Sequence, residues 1–328
     1  MIAATKDMLD LEVVTRHDDA EGVASLELRR ADGGPLPQWT PGAHIELETR
    51  DAQDRPVMRQ YSLCGLACAD TWRIAILGDS AGRGGSMWLQ RHAHPGVRLA
   101  SRGPRNHFPL EDTGAPVVLI AGGIGITPII PMAHALYARG VPFRLHYHVR
   151  RRSSAAFLAE LQAAPFAKYL HLSVDDEMPV VPKDIFGAAD APAWVYICGP
   201  ASFMTAVANA AFACGVSAER VRKELFAADD TAQPQFVNVE RSFTVRIRST
   251  GQNVVVGANQ TVVKALEAAG IDVVVSCEQG YCGSCLTGVL EGMPDHRDQF
   301  MLPEEHARND AFTPCCSRSR SPSLLLDL

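Results

Sequence analysis

The sequence predicts a multi-domain chain in which an antiparallel β-barrel is followed by an α/β domain on a parallel sheet and then by a small α+β domain. Three observations predict it. At 328 residues the chain exceeds one typical core, and a prior of roughly 100–150 residues per domain favours two or three. The rhythm changes after Pro116, from short strands between turns to strand–turn–helix units. A polar stretch from Ala227 to Gln235, containing Asp229, Asp230, Gln233 and Pro234, reads as a linker before a third domain. The expected domains are 1–110, 111–230 and 238–328.

In the first domain, Ser25 to Arg30, His44 to Glu48, Gln60 to Cys64 and Trp72 to Leu77 read as short strands, separated by clusters such as Asp32-Gly33-Gly34-Pro35. In the second, Val117 to Ala121 is a continuous apolar run, as in a strand buried on both faces, and a glycine turn and a helix to about Gly140 follow it. Phe143 to Val149, Leu170 to Val174 and Trp194 to Cys198 are the next strands. Ser154 is expected to cap a helix running to about Ala164, and a further helix spans Ala201 to Cys214, closed by Gly215. In the third domain Phe243, Val245 and Ile247 alternate with Thr244, Arg246 and Arg248, and Val262 to Ala269 reads as a short helix.

Composition is that of an ordinary globular chain, 47% hydrophobic and 21% charged, which excludes a disordered or fibrous class. A net charge of -6 argues against non-specific nucleic-acid binding. The N-terminal residues show neither a basic segment nor an apolar run of an export signal, and Gly122, Gly123, Gly125, Pro128 and Pro131 interrupt the apolar stretch 117–136, so neither nucleic acid nor membrane is an expected partner and a cytoplasmic location is expected. Nine cysteines in such a chain point to metal or redox chemistry before disulfides. The histidines at 107, 134, 146, 148 and 171 form no ligand pattern and read as structural. Asp295-His296-Arg297-Asp298 reads either as a solvated turn or as a surface serving a partner or domain contact.

Cys277, Cys282 and Cys285 have the C-x4-C-x2-C spacing of a plant-type [2Fe-2S] site, with a fourth thiolate at Cys315 or Cys316. Gly280, Gly283 and Ser284 are small enough for backbone N–H groups to approach the sulfur atoms. A structural zinc site is the alternative, but such sites usually pair two C-x2-C units and only one is present.

Gly122-Gly123-Ile124-Gly125-Ile126-Thr127-Pro128 joins the buried strand to its helix, where a pyrophosphate could rest on backbone N–H groups. Thr127 is expected at the N-cap, Pro128 at the first helical position and Pro131 at the fourth. This loop, together with Cys198-Gly199-Pro200 after a later strand, resembles the ferredoxin–NADP reductase superfamily. The resemblance implies that the glycine loop holds the dinucleotide and that Cys198 lies near the nicotinamide. Arg150 and Arg151, with Arg152 and Ser153, follow the strand expected beside the adenosine ribose, where arginine can accept a 2′-phosphate. Relatives mostly use NADH, so NADH is the expected donor, with NADPH as the alternative.

Within the same resemblance, Arg59-Gln60-Tyr61-Ser62 matches an R-x-Y-S flavin motif, and Gly82-Arg83-Gly84-Gly85-Ser86 is similar to the phosphate-binding loop. Arg59 would neutralise a phosphate, Tyr61 would cover the ring, and Ser62 would bond the reactive nitrogen, which makes Ser62 and Cys198 the residues expected at the reacting atoms. Glu224 and Phe226 resemble the segment that folds back over the flavin, although Ala227 stands where glycine or serine is usual.

The cysteine loop is similar to that of the phthalate dioxygenase reductase family, and the Ser317-Arg318 run after the cysteine pair selects Cys315 as fourth ligand. The order flavin, dinucleotide, ferredoxin is that of class IA reductases of two-component dioxygenases and O-demethylases. The family implies FMN, a β-grasp ferredoxin domain, and a separate Rieske-type oxygenase as acceptor. A redox-sensing or metal-binding module without turnover, and a reductase for a cytochrome P450, are the alternatives.

Overall fold

The computed structural model describes residues 8–66, 70–80, 82, 84–177, 184–187, 193–226, 241–275, 277–281, 283–298, 300–301 and 303–328. The expected linker at 227–235 lies outside them. The chain divides into two compact units, Met1–Leu225 and Phe226–Leu328.

The first unit opens with β1 (Leu9–Ala20), β2 (Val23–Arg30), β3 (Ala43–Arg50), β4 (Pro56–Ser62), β5 (Trp72–Leu77) and, after helix α1 (Gly85–His92), β6 (Arg98–Asn106). They form one antiparallel sheet in the order β4-β3-β6-β1-β2-β5. A bridge between Leu63 and Ile74 joins the two edges, so the sheet closes into a barrel and leaves no exposed ladder between β4 and β5. Alternate residues turn inward, among them Leu11, Val13, Leu26, Leu28, Ile45, Leu47 and Ile74, and Trp72 fills the space between them. Two of these strands are poorly marked in the sequence. The outer half of β1 is polar, and β6 carries Gly103 and Pro104, residues that ordinarily punctuate a strand.

The same unit continues through β7 (Val117–Gly122), α2 (Ile126–Arg139), β8 (Phe143–Val149), α3 (Leu158–Ala163), β9 (Leu170–Val174), β10 (Trp194–Cys198), α4 (Ala201–Ala213) and β11 (Val221–Glu224). These strands are all parallel, in the order β11-β10-β7-β8-β9. Every residue of β7 is buried, as a central parallel strand covered by helices on both faces requires. The chain runs outward from β7 in one direction and then crosses back to place β10 on its other side. A topological switch point therefore lies between the carboxyl ends of β7 and β10, where open α/β sheets hold ligands.

Three helix details differ from the sequence expectation. Helix α2 starts at Ile126 with Gly125 as its N-cap, because the Thr127 hydroxyl donates to the Ile124 carbonyl at 3.0 Å and is buried there. Pro128 is thus the third helical residue, and Pro131 sits in the helix interior, where its missing N–H leaves the Thr127 carbonyl without its usual donor. Ser154 ends a short 3-10 turn and donates to Arg151, and α3 begins only at Leu158.

The second unit contains β12 (Phe243–Ile247), β13 (Asn253–Val256), α5 (Val262–Ala268), β14 (Thr287–Glu291), β15 (Pro294–Asp295), α6 (Pro303–Arg308), β16 (Ala311–Phe312), β17 (Arg318–Ser319) and β18 (Ser323–Leu326). A five-stranded sheet runs β13-β12-β18-β14-β16, with β12 and β18 parallel, and α5 packs over it through Val262, Ala265 and Leu266. Thr261 caps α5 by accepting from the Lys264 N–H. Among the described residues no helix is long and apolar enough to cross a membrane.

Candidate active site

The switch point is made of backbone. A Cβ on Gly125 would stand 2.2 Å from the Cys198 carbonyl oxygen, and one on Gly199 would stand 2.9 Å from the Gly122 Cα. The loops after β7 and β10 therefore touch main chain to main chain, an approach only glycine allows. The first turn of α2 has no side-chain cap; the Ile126 N–H donates back to the Gly123 carbonyl and Pro128 has none, so an anion at this terminus is met by the remaining N–H groups of the loop and turn. Gly123 is left-handed (φ 54°) with open space beside it. Pro200 and Phe203 lie against Gly122, a contact no sequence motif announced.

Arg150 and Arg151 follow β8 on the same carboxyl edge. Arg151 pairs with Asp176 at 3.3 Å and Arg152 makes a bidentate pair with Glu177 at 2.8 and 2.9 Å, all on exposed side chains. The acidic partners come from the turn after β9 and were not read from the sequence.

A second anion cradle lies at α1. Its N-cap, Gly84, is left-handed (φ 95°), provides no side-chain cap, and packs so closely on Ala52 that a Cβ would stand 2.6 Å from that residue's nitrogen. Gly85 abuts Arg59, with its missing Cβ 3.1 Å from Nε. A guanidinium thus lies beside a helix N-terminus, the donor set that suits a phosphate monoester. The Ser86 hydroxyl accepts from the Asp79 N–H at 3.1 Å, and Arg83 lies outside the described residues.

Residues along β4 alternate in direction. Tyr61 packs on the barrel core, where burial raises its phenol pKa, and Ser62 is buried on the opposite side. Ser62 Oγ donates to Glu224 Oε2 at 3.3 Å, and Glu224 stands in register with Cys198 across β11 and β10. Ser62, Cys198 and Glu224 thus bring the ends of three strands to one place. Burial pushes the Glu224 carboxyl up to about 8 against the lowering effect of the Ser62 bond, and burial followed by the Glu224 charge raises the Cys198 thiol. A carboxyl and a thiol whose burial favours their protonated forms, with a hydroxyl between strands, make a polar pocket floor. Phe226 begins the second unit with 39% of its surface exposed.

In the second unit Cys277, Cys285 and Cys315 are each 4–5% exposed, and the Cys315 thiol lies within hydrogen-bonding reach of the other two, which raises its pKa. Cys282 lies outside the described residues. The loop is left-handed at Glu278, Gly280 and Gly283, and the Gln279 N–H donates to Cys277 Sγ at 3.4 Å. Two side chains occupy the space that Cβ atoms would need: the Phe300 ring at Gly283 and Cys316 Sγ at Gly280, both 2.4 Å away. Cys316 otherwise faces Thr313 and Ser317, and its thiol also lies within reach of Cys315. Three converging buried thiols with an N–H aimed at sulfur fit an iron–sulfur cluster.

An uncapped glycine crevice at a switch point, a guanidinium–helix cradle on a barrel and a buried cysteine loop define a pyridine-nucleotide-dependent flavin and [2Fe-2S] oxidoreductase. Residues 245–320 match the 2Fe-2S iron-sulfur cluster binding domain family. Over 326 residues the chain is 43% identical to a vanillate O-demethylase oxidoreductase of Pseudomonas putida, covering 98% of this chain and 100% of the relative. Phthalate dioxygenase reductase, described as a modular structure for electron transfer from pyridine nucleotides to [2Fe-2S], superposes with a TM-score of 0.69 at 31% identity and 98% coverage of both chains. An intact type IV self-sufficient cytochrome P450 monooxygenase gives a TM-score of 0.87 at 35% identity, with this chain spanning 98% of its own length but 41% of that protein. The chain belongs to the phthalate dioxygenase reductase-like family of flavin and iron–sulfur reductases that includes the vanillate O-demethylase oxidoreductases.

Proposed function

We propose that this chain is the NADH-dependent reductase component of a two-component oxygenase or O-demethylase system, acting on a separate Rieske-type oxygenase in the cytoplasm. The observation that carries the reading is the meeting of Ser62, Cys198 and Glu224, which brings the barrel's flavin motif to the mouth of the dinucleotide crevice. Bound FMN accepts a hydride and passes electrons on singly, and a [2Fe-2S] cluster carries one electron at a time.

The chain's own residues do the rest. Arg59 and the N–H groups of Gly84, Gly85 and Ser86 hold the FMN phosphate, Tyr61 limits access to the ring, and the Ser62 hydroxyl donates at the reacting nitrogen. Gly122, Gly123, Gly125, Thr127 and Pro128 shape the pyrophosphate loop, while Cys198, Gly199 and Pro200 admit the nicotinamide. Glu224, neutral through burial, adds no charge beside a hydride in transfer. Arg151 and Arg152 already have carboxylate partners, which favours a dinucleotide without a 2′-phosphate. Cys277, Cys282, Cys285 and Cys315 hold the cluster. The functional domains are 1–110, 111–230 and 238–328.

The test is an anaerobic visible-absorption titration with NADH and then NADPH, after flavin, iron and sulfide have been assayed. Bleaching of both flavin and iron–sulfur bands by NADH is expected. Bands left intact by both nucleotides would overturn the reductase reading.

A P450 acceptor is the second reading, favoured by the likeness to the self-sufficient P450. Reduction of a P450 at a rate matching that of a Rieske oxygenase would favour it.

A further inference from the structure

Beside the cysteine loop, where Asp298 packs on Gly280, β15 leads into a turn that brings His296 and Asp298 together with His306 of α6. The Asp298 carboxylate is fully enclosed. Its Oδ2 accepts from the Met301 N–H at 2.8 Å, Ser317 Oγ lies 3.5 Å from Oδ1, and His306 Nε2 is 3.2 Å from both oxygens. The His296 side chain is 8% exposed, yet neither ring nitrogen has a partner at hydrogen-bonding geometry, although Asn309 lies beside the ring. A buried imidazole with no partner is uncommon and calls for an explanation.

Its Nδ1 stands 3.8 Å from Asp298 Oδ1, too far for a hydrogen bond. That separation does suit two ligands of one ion: bonds of about 2.0–2.2 Å in a tetrahedral zinc site put ligand atoms roughly 3.3–3.5 Å apart. The observed 3.2 and 3.8 Å bracket that value, and the three ligand atoms lie within 4.8 Å of one another, so the His306 ring, the more exposed of the two, has to turn slightly for both imidazoles to reach one ion. The two imidazoles are stacked at 4.4 Å and 22°.

We propose that His296, Asp298 and His306 form a second metal site, distinct from the cysteine ligands, that takes a divalent transition ion of the zinc class. Two imidazoles and one carboxylate are the donor set such ions prefer, and calcium or magnesium would call for more oxygen. The Met301 N–H and the Ser317 hydroxyl are the outer contacts that orient the carboxylate. His306 is 28% exposed on a short helix, so its side gives access to the ion and leaves the fourth position to water. The site does not depend on the electron path and would stand if the acceptor were another protein.

The experiment uses the full chain with its cluster loaded, iron and sulfide assayed, and zinc offered alone in equilibrium dialysis against a chromophoric chelator. One zinc per chain is expected beyond the cluster iron. Its affinity should fall at least tenfold in both His306→Ala and His306→Gln, with the cluster absorbance of each variant reporting that the domain still folds. No zinc retained by the parent chain, or equal affinity in either variant with its cluster intact, would overturn the site. So would zinc that tracks the fraction of cluster-free chain, since it would then be bound to the cysteines.

Discussion

The dinucleotide crevice and the cysteine loop are built in opposite ways. In the crevice the working surface is backbone, and side chains are excluded because Gly125 and Gly199 lie against other main-chain atoms. In the loop the working atoms are side chains, and the backbone turns through left-handed positions at Gly280 and Gly283 so that the thiols can point inward. The two regions fail for different reasons when altered. The crevice has no spare volume at Gly125 and Gly199, and the loop depends on each of its ligands.

The largest expected effect tests the loop. Cys315→Ser should leave purified chain with no [2Fe-2S] absorbance, while Cys316→Ser should assemble it, because Cys316 faces Thr313 and Ser317. Assembly in the first variant and none in the second would invert the ligand choice.

Next comes the crevice. In Gly125→Ala the new methyl meets a carbonyl oxygen, so the loops must separate. Displacement of about 1 Å in a reacting geometry costs roughly 100-fold in rate, and flavin reduction by NADH in stopped flow should slow by about that factor while cluster content is unchanged. A normal rate would mean that the crevice is looser than its contacts imply.

A smaller effect is expected at the barrel. Arg59→Ala removes a charge-assisted contact worth about 1.5–3 kcal/mol, so FMN should dissociate roughly 10–100-fold more readily in ultrafiltration. Unchanged retention would remove Arg59 from the phosphate cradle.

The smallest concerns Glu224. Its carboxyl is raised from 4.5 to about 8, so the folded state holds a proton that the unfolded chain releases. Stability from this group is complete below about pH 4.5 and is lost as pH rises through about 8. Glu224→Gln should flatten the fall in unfolding free energy over that window, read from urea denaturation at each pH. The same slope in both proteins would show that Glu224 is charged throughout.

Much of this arrangement was legible before any coordinates, and unevenly so. Trp72–Leu77, Phe143–Val149, Leu170–Val174 and Trp194–Cys198 are strands with the bounds expected from the sequence, since each carries an alternating or continuous apolar pattern that ends abruptly. Strands β1 and β6 were not, because their outer residues are polar or turn-forming while a few inward residues hold them in the barrel. The start of α2 was misplaced because a threonine before a proline has two uses, and the nearer Ile124 carbonyl took its hydroxyl. Of the three thiols that the structure brings together, Cys277 and Cys285 were marked by spacing and Cys315 by the family resemblance of the Ser317-Arg318 run. The histidine–aspartate group was invisible, since residues 296, 298 and 306 follow no ligand spacing and meet only because α6 folds back on the turn after β15.

The position of β18 has a consequence for how the iron–sulfur domain comes into being during synthesis. This strand lies between β12 and β14 and pairs with both, yet it is the last strand of the unit to leave the ribosome. Until residues 323–326 have emerged, the sheet is split in the middle and α5 has no complete surface to rest on. The cysteines from 277 to 285 emerge some forty residues earlier, so a nascent chain displays thiols before it can enclose them. Cluster delivery timed to the released chain would meet a closed domain, and delivery to the growing chain would meet an open one.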